Sequence, residues 1–199
     1  RGPIAEALSA RLAEVTLGDP RLQEVGMGAL AGAGQKQDVL GTCALFADEA
    51  RCIIGGAAPR LTGENLDGGA WVAPTIFDCA DPDAAIHLHE KEAFGPVACL
   101  MPYRDAQHAA TLANRGGGAL VTSVVTRDPA LAHQFVAASA SHHGRLYFNN
   151  RDSMAEATGH GSPLPHMVHG GPGRAGGSEE LGGIRAVKHY MQRTALQGP

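Results

Sequence analysis

The 199-residue chain contains no apolar run long enough to cross a bilayer, so a membrane-spanning helix is not expected. Nor does it open on a charged-then-apolar leader, and the expectation is a cytoplasmic protein. It has no excess of positive charge. Sixteen Lys and Arg stand against twenty Asp and Glu, and a net charge of −4 argues against nucleic acid or an anionic membrane as the main partner. Its four cysteines, Cys43, Cys52, Cys79 and Cys99, form no Cys-x-x-Cys pair, which excludes a zinc ribbon and a thioredoxin-like site and leaves reduced core thiols. No internal repeat is present. The length suits one domain, large enough to bury about 70% of its unfolded surface.

What is present alternates helices with short apolar strands. Pro3 in a first turn and Ile4, Leu8, Leu12 and Val15 at helical spacing predict a helix over residues 3–15. Further helices are predicted over 35–50, 105–114, 129–141 and 179–190, and strands over 52–54, 71–77, 97–102, 120–126, 146–149 and 193–196. This is an α/β pattern, a mostly parallel sheet with helices on both faces. The glycine-rich stretch over 159–177 interrupts it as a long loop, and Gly116-Gly117-Gly118 reads as a helix stop because a strand follows.

Individual side chains narrow the chemistry. Cys43 shares a helical stripe with Val39, Leu40 and Phe46, and Cys99 sits in the apolar run Val97-Ala98-Cys99-Leu100-Met101, the kind found in strands covered on both faces. Both are read as packing residues, since a reactive thiol needs an electropositive, reachable setting. His87-x-His89 on a strand lacks a nearby third ligand, and His160, His166 and His169 fall in the Gly/Pro-rich loop, so no metal is expected. Arg174 is read as a salt-bridge residue rather than a phosphate contact. The stretch Glu92-Ala93-Phe94-Gly95-Pro96-Val97 sets a carboxylate and an aromatic ring on a turn that feeds a buried strand. A carboxylate accepts two hydroxyl donors and a ring offers an apolar wall.

Other segments flank that turn in a fixed order: Gly18-Asp19-Pro20 and Met27-Gly28-Ala29-Leu30, then Gly55-Gly56 and Gly69-Ala70-Trp71-Val72-Ala73-Pro74-Thr75-Ile76. Ala113-Asn114 and Leu120-Val121-Thr122-Ser123-Val124-Val125-Thr126-Arg127-Asp128 follow it. Together they resemble the aldehyde dehydrogenase family across nearly the whole chain. The resemblance implies that Glu92 binds the nicotinamide ribose and Phe94 packs beside the nicotinamide of NADP or NAD. It places the family's Gly-Gln-x-Cys nucleophile, general-base glutamate and oxyanion-hole asparagine before Arg1. Gly34-Gln35-Lys36-Gln37 is no substitute, because Gln37 fills the cysteine slot. A chain of this kind is expected to be inactive by itself.

The last quarter is similar to a branch of that family. Thr158-Gly159-His160-Gly161-Ser162-Pro163-Leu164-Pro165 and Val168-His169-Gly170-Gly171-Pro172-Gly173-Arg174 resemble the ring-opening dehydrogenases of phenylacetate degradation, in which a hot-dog-type hydratase follows. The benzoyl-CoA branch is the nearest alternative. The resemblance implies a CoA-linked semialdehyde substrate, with His160 and His169 lining its pocket. It further implies residues 1–190 as part of a catalytic domain and 191–199 as an oligomerisation strand and linker start. The expected partners are a coenzyme domain and a hydratase domain of the same polypeptide and further copies of the chain in a homo-oligomer. A non-catalytic assembly scaffold is the alternative from another class.

Overall fold

The computed structural model describes residues 1–157 and 170–176, together with Ile184, Val187, Lys188, Met191 and Gln197. The pocket residues His160 and His169, most of the predicted loop and the strand over 193–196 lie outside the described residues. The helix expected over 179–190 is described at Ile184, Val187 and Lys188, all helical. The chain forms two compact units, Arg1–Pro102 and Tyr103–Pro199.

In the first unit, α1 (Gly2–Ala13) starts with proline in its first turn, where a missing N–H costs nothing. Arg1 ties its start to the sheet through Asp78 (3.1 Å) and the Cys79 carbonyl (3.1 Å). After the short strand β1 (Leu17–Gly18), α2 (Ala33–Ala47) buries Val39 and Phe46. Leu40, predicted on the same stripe, is half exposed. The chain then runs through β2 (Arg51–Ile54), β3 (Leu61–Thr62), β4 (Thr75–Asp78), the single helical turn α3 (His87–Glu90) and β5 (Val97–Leu100). β1 pairs with β3 in parallel. β2, β4 and β5 form a sheet in that order, antiparallel at β2–β4 and parallel at β4–β5 with Thr75 opposite Val97 and Asp78 opposite Leu100. Its centre is Phe77, 2% exposed, whose ring meets Phe46 of α2 edge-on at 5.8 Å.

Three expectations for this unit are corrected. The strand predicted over 71–77 joins the ladder only at Thr75, because Pro74 has no N–H to give and the Trp71 indole turns back to the Leu66 carbonyl (2.9 Å). Residues His87 to Glu90 are helical rather than strand-like. His89 is buried there with Nε2 2.9 Å from the Pro82 carbonyl, a packing histidine. Nor, among the described residues, is β5 covered on both faces. Among the described residues it is an edge strand, with Ala98 exposed and Cys99 half-buried.

The second unit comprises α4 (Ala106–Asn114), β6 (Ala119–Val125), α5 (Pro129–Ser139) and β7 (His143–Asn149), with β6 and β7 parallel from Ala119–His143 to Val125–Asn149. Both helices carry aspartate caps. Asp105 accepts from the His108 N–H (2.8 Å) and Asp128 from that of Ala130 (2.8 Å). The triple glycine stops α4 as expected, with Gly117 and Gly118 at positive φ (72° and 127°). A Cβ on Gly118 would strike the Pro172 carbonyl, and the Arg174 N–H reaches the Gly117 carbonyl (3.0 Å), so residues 172–174 close over this turn.

Candidate functional site

The turn from Lys91 to Pro96 is held from two sides. On one, the Thr75 N–H at the head of β4 donates to the Pro96 carbonyl (2.9 Å), and two tight three-residue turns, Gly95 N–H to Ala93 O (2.7 Å) and Val97 N–H to Gly95 O (2.8 Å), fold the chain into β5. On the other, Gln35 in the first turn of α2 donates from Nε2 to the Phe94 carbonyl (2.6 Å), while its Oε1 accepts from the Ala31 N–H (3.0 Å). Gly95 lies flat on Val39, where a Cβ would come within 2.9 Å of a methyl. The backbone is therefore fixed, whereas Glu92 is exposed and Phe94 is 70% exposed. An exposed carboxylate can accept hydroxyl donors, and an exposed ring offers an apolar wall.

The helical turn before it is anchored by Glu49, just past the end of α2. Its carboxylate accepts from three successive N–H groups, Ile86 and His87 on Oε1 (2.9 Å each) and Leu88 on Oε2 (3.0 Å). Burial pushes the Glu49 carboxyl up, but the donors from His87, Leu88 and Ile86 outweigh it and leave the group below its ordinary range. These N–H groups are the orphan donors of the α3 start, which explains why the segment coils here instead of extending.

Three of the four thiols are unsuited to nucleophilic work. Burial pushes Cys43 up, helped by the neighbouring Cys52; it also raises Cys79 and takes Cys99 to about 11. Cys52 is exposed and donates to the Ile54 carbonyl (3.3 Å). Cys43 and Cys52 border an apolar cavity of about 520 Å³ together with Lys36, Leu40, Trp71 and Phe77. Hollows of about 430 and 540 Å³ border the Arg1–Asp78 ion pair.

In the second unit His143 is buried and bridged, Nδ1 to the Thr122 hydroxyl (2.8 Å) and Nε2 to Asn114 Oδ1 (3.0 Å). The Asn114 amide donates to the Ala138 carbonyl (2.9 Å), so its oxygen faces the ring, Nε2 carries the proton and Nδ1 accepts. This network staples α4, α5 and β7. No cluster of three or more metal-ligating side chains occurs among the described residues. No described helix is long and apolar enough to cross a membrane.

Of the two predicted cofactor residues, both sit on the anchored turn. The clamping roles of Gln35 and Glu49 are not legible in the sequence, because their partners are 59 and 37–39 residues away and no local pattern marks them.

The parallel pair of β4 and β5, alternating with helices along the chain, places this unit in the α/β class. The sequence model of the aldehyde dehydrogenase family matches residues 2–196, and the chain belongs to that family. It is 53% identical over 173 residues to Protein MaoC of Klebsiella aerogenes, covering 86% of this chain and 50% of the relative. It is 36% identical over 171 residues to the 3,4-dehydroadipyl-CoA semialdehyde dehydrogenase of Aromatoleum evansii, covering 85% of this chain and 33% of the relative. The chain thus spans about half and a third of these proteins. Among solved structures, betaine aldehyde dehydrogenase from Staphylococcus aureus in complex with NAD+ superimposes with a TM-score of 0.77 at 21% identity, over 96% of this chain and 35% of that one. PnpE from Pseudomonas sp. WBC-3 superimposes with a TM-score of 0.72 at 26% identity, over 93% and 35%. These likenesses carry the α/β fold read from the sequence.

Proposed function

We propose that the protein carrying this chain oxidises an aldehyde with a nicotinamide cofactor, and that this chain supplies the turn that holds the nicotinamide end. The observation that carries the reading is the exposure of Glu92 and Phe94 on a backbone tied to both α2 and β4. Glu92 would accept the ribose hydroxyls and Phe94 would flank the nicotinamide ring, which when bound accepts the hydride. Solved relatives that bind NAD+ support a nicotinamide cofactor, and NADP is proposed on the sequence resemblance. The nucleophile is assigned to none of the four thiols here, three of which are held above the ordinary thiol range by burial.

The substrate proposed is a CoA-linked semialdehyde of aerobic phenylacetate degradation, 3-oxo-5,6-dehydrosuberyl-CoA semialdehyde, with His160 and His169 in its pocket and a hydratase domain in the same polypeptide. The resemblance of the sequence around those histidines supports it. The second reading, 3,4-dehydroadipyl-CoA semialdehyde, is favoured by the 36% identical dehydrogenase. Assembly through residues 193–196 is proposed on the same resemblance.

The test is Glu92→Gln in the intact enzyme. A lost charge-assisted hydrogen bond weakens cofactor use roughly tenfold to a hundredfold, read as cofactor KM and kcat in steady-state NADPH formation. Values equal to wild type for both constants refute the assignment of Glu92.

A further inference from the structure

We infer that α2 is the positioning bar of the nicotinamide turn, with Glu49 and Gln35 as the two side chains through which it sets the place of Glu92; the inference rests on the nicotinamide reading above. The two residues flank the same rigid element, Gln35 in its first turn and Glu49 just past its last residue Ala47. Their targets flank the functional residue in the same way. Glu49 holds the N–H groups of Ile86, His87 and Leu88, and Gln35 holds the carbonyl of Phe94. Glu92 therefore lies between two fixed points, each bonded to one helix whose side chains Val39 and Phe46 are buried.

The chemistry of each clamp suits its target. Three converging N–H donors match a carboxylate, which offers two oxygens with several lone-pair directions. An amide at position 49 would present one acceptor oxygen and an NH₂ group that opposes the remaining donors. Gln35 uses both ends of its amide, accepting from Ala31 and donating to Phe94, so it fixes the turn relative to the loop that starts α2. Lys91 leaves α3 with extended backbone, its N–H on the His87 carbonyl (2.9 Å), and the three-residue turns at Gly95 act downstream of Glu92. Glu49 and Gln35 touch no reacting atom in this scheme; they act through the placement of Glu92.

The experiment is a double-mutant cycle in the intact enzyme, with steady-state constants for cofactor and for aldehyde measured separately. Glu49→Gln is expected to raise cofactor KM roughly tenfold while aldehyde KM stays within about twofold, because a displacement near one ångström suffices for losses of that order. In the Glu92→Gln background the same substitution should add no more than about twofold, since the group it positions is already disabled. Full additivity in that background, with Glu92→Gln itself impaired, overturns the positioning role and leaves the nicotinamide reading intact. A Glu92→Gln enzyme equal to wild type overturns the nicotinamide reading and the inference with it. Gln35→Ala, which removes the bonds of a single half-buried side chain, runs the same cycle should Glu49→Gln fail to fold. It is expected to raise cofactor KM several-fold alone and to be silent with Glu92→Gln; an unchanged cofactor KM in Gln35→Ala alone overturns the inference.

Discussion

Replacing Gly95 by alanine is the smallest change that tests how the turn is seated. The added Cβ would lie 2.9 Å from Val39 Cγ2 and 3.2 Å from Cγ1, against the roughly 3.5–4.0 Å that carbon atoms prefer. Val39 cannot yield: it is 1% exposed, and a β-branched residue within a helix has essentially one χ1 rotamer. The turn must therefore rise from α2 by more than about half an ångström, which stretches the 2.6 Å bond from Gln35 to the Phe94 carbonyl. Overpacking of this kind costs about 1–3 kcal/mol, or a few degrees in Tm for a chain of this size. Cofactor KM in the intact enzyme should rise at least about tenfold. Scanning calorimetry and steady-state kinetics of Gly95→Ala measure the two effects, and Val39→Ala in that background should recover the cofactor constant. A variant equal to wild type in both Tm and cofactor KM refutes the packing argument; a lower Tm with an unchanged KM refutes the link between seating and cofactor binding.

Phe77→Ala removes a ring that is 2% exposed and paired edge-on with Phe46, and should cost about 3–5 kcal/mol in urea unfolding. A loss below about 1 kcal/mol would contradict its central place. His143 is pushed below its ordinary value of 6.5, by burial first and by His142 second. The unfolded chain thus takes the proton first, so this contribution to stability is complete above about pH 6.5 and is lost as pH falls through the lower folded value. Melting curves from about pH 7.5 to 5 should show a steeper acid loss in wild type than in His143→Gln, and parallel loss would count against the network. Among the thiols, exposed Cys52 should react first with an aromatic disulfide reagent, ahead of Cys43, Cys79 and Cys99, whose pKa values burial raises. Peptide mapping that finds Cys99 modified as fast as Cys52 would contradict the packing reading.

Much of the architecture is local and so could be read along the chain. Asp105 and Asp128 sit one residue before their helices and satisfy donors two or three positions on; Pro129 presets the first turn; Gly117 and Gly118 take positive φ where α4 must stop. Each of these effects acts within a few residues, which is why periodicity and punctuation placed α1, α2, α4, α5 and the strands β2, β5, β6 and β7 to within a few residues of their ends. The turn at Gly95-Pro96 and the two side chains it carries were legible for the same reason.

Contacts between distant residues were decided only by the tertiary structure. The segment at His87 coils because Glu49, nearly forty positions earlier, delivers a carboxylate to its N–H groups; without that partner a short His-x-His-Glu stretch carries no helical signal of its own. The strand predicted from Trp71 begins at Thr75 because the Pro96 carbonyl, twenty-odd residues later, meets the first available N–H after Pro74. The apolar run at Cys99 fixed a strand but not its surroundings, since hydrophobicity reports what can be buried and the sheet order decides which face is. Sequence alone thus determined the family, the ends of the longer helices to within a few residues and the identity of the carboxylate and ring on the turn. How firmly those two groups are held depends on Gln35, Val39 and Glu49, and side chains acting across 37 to 59 residues are brought to their targets only by the fold.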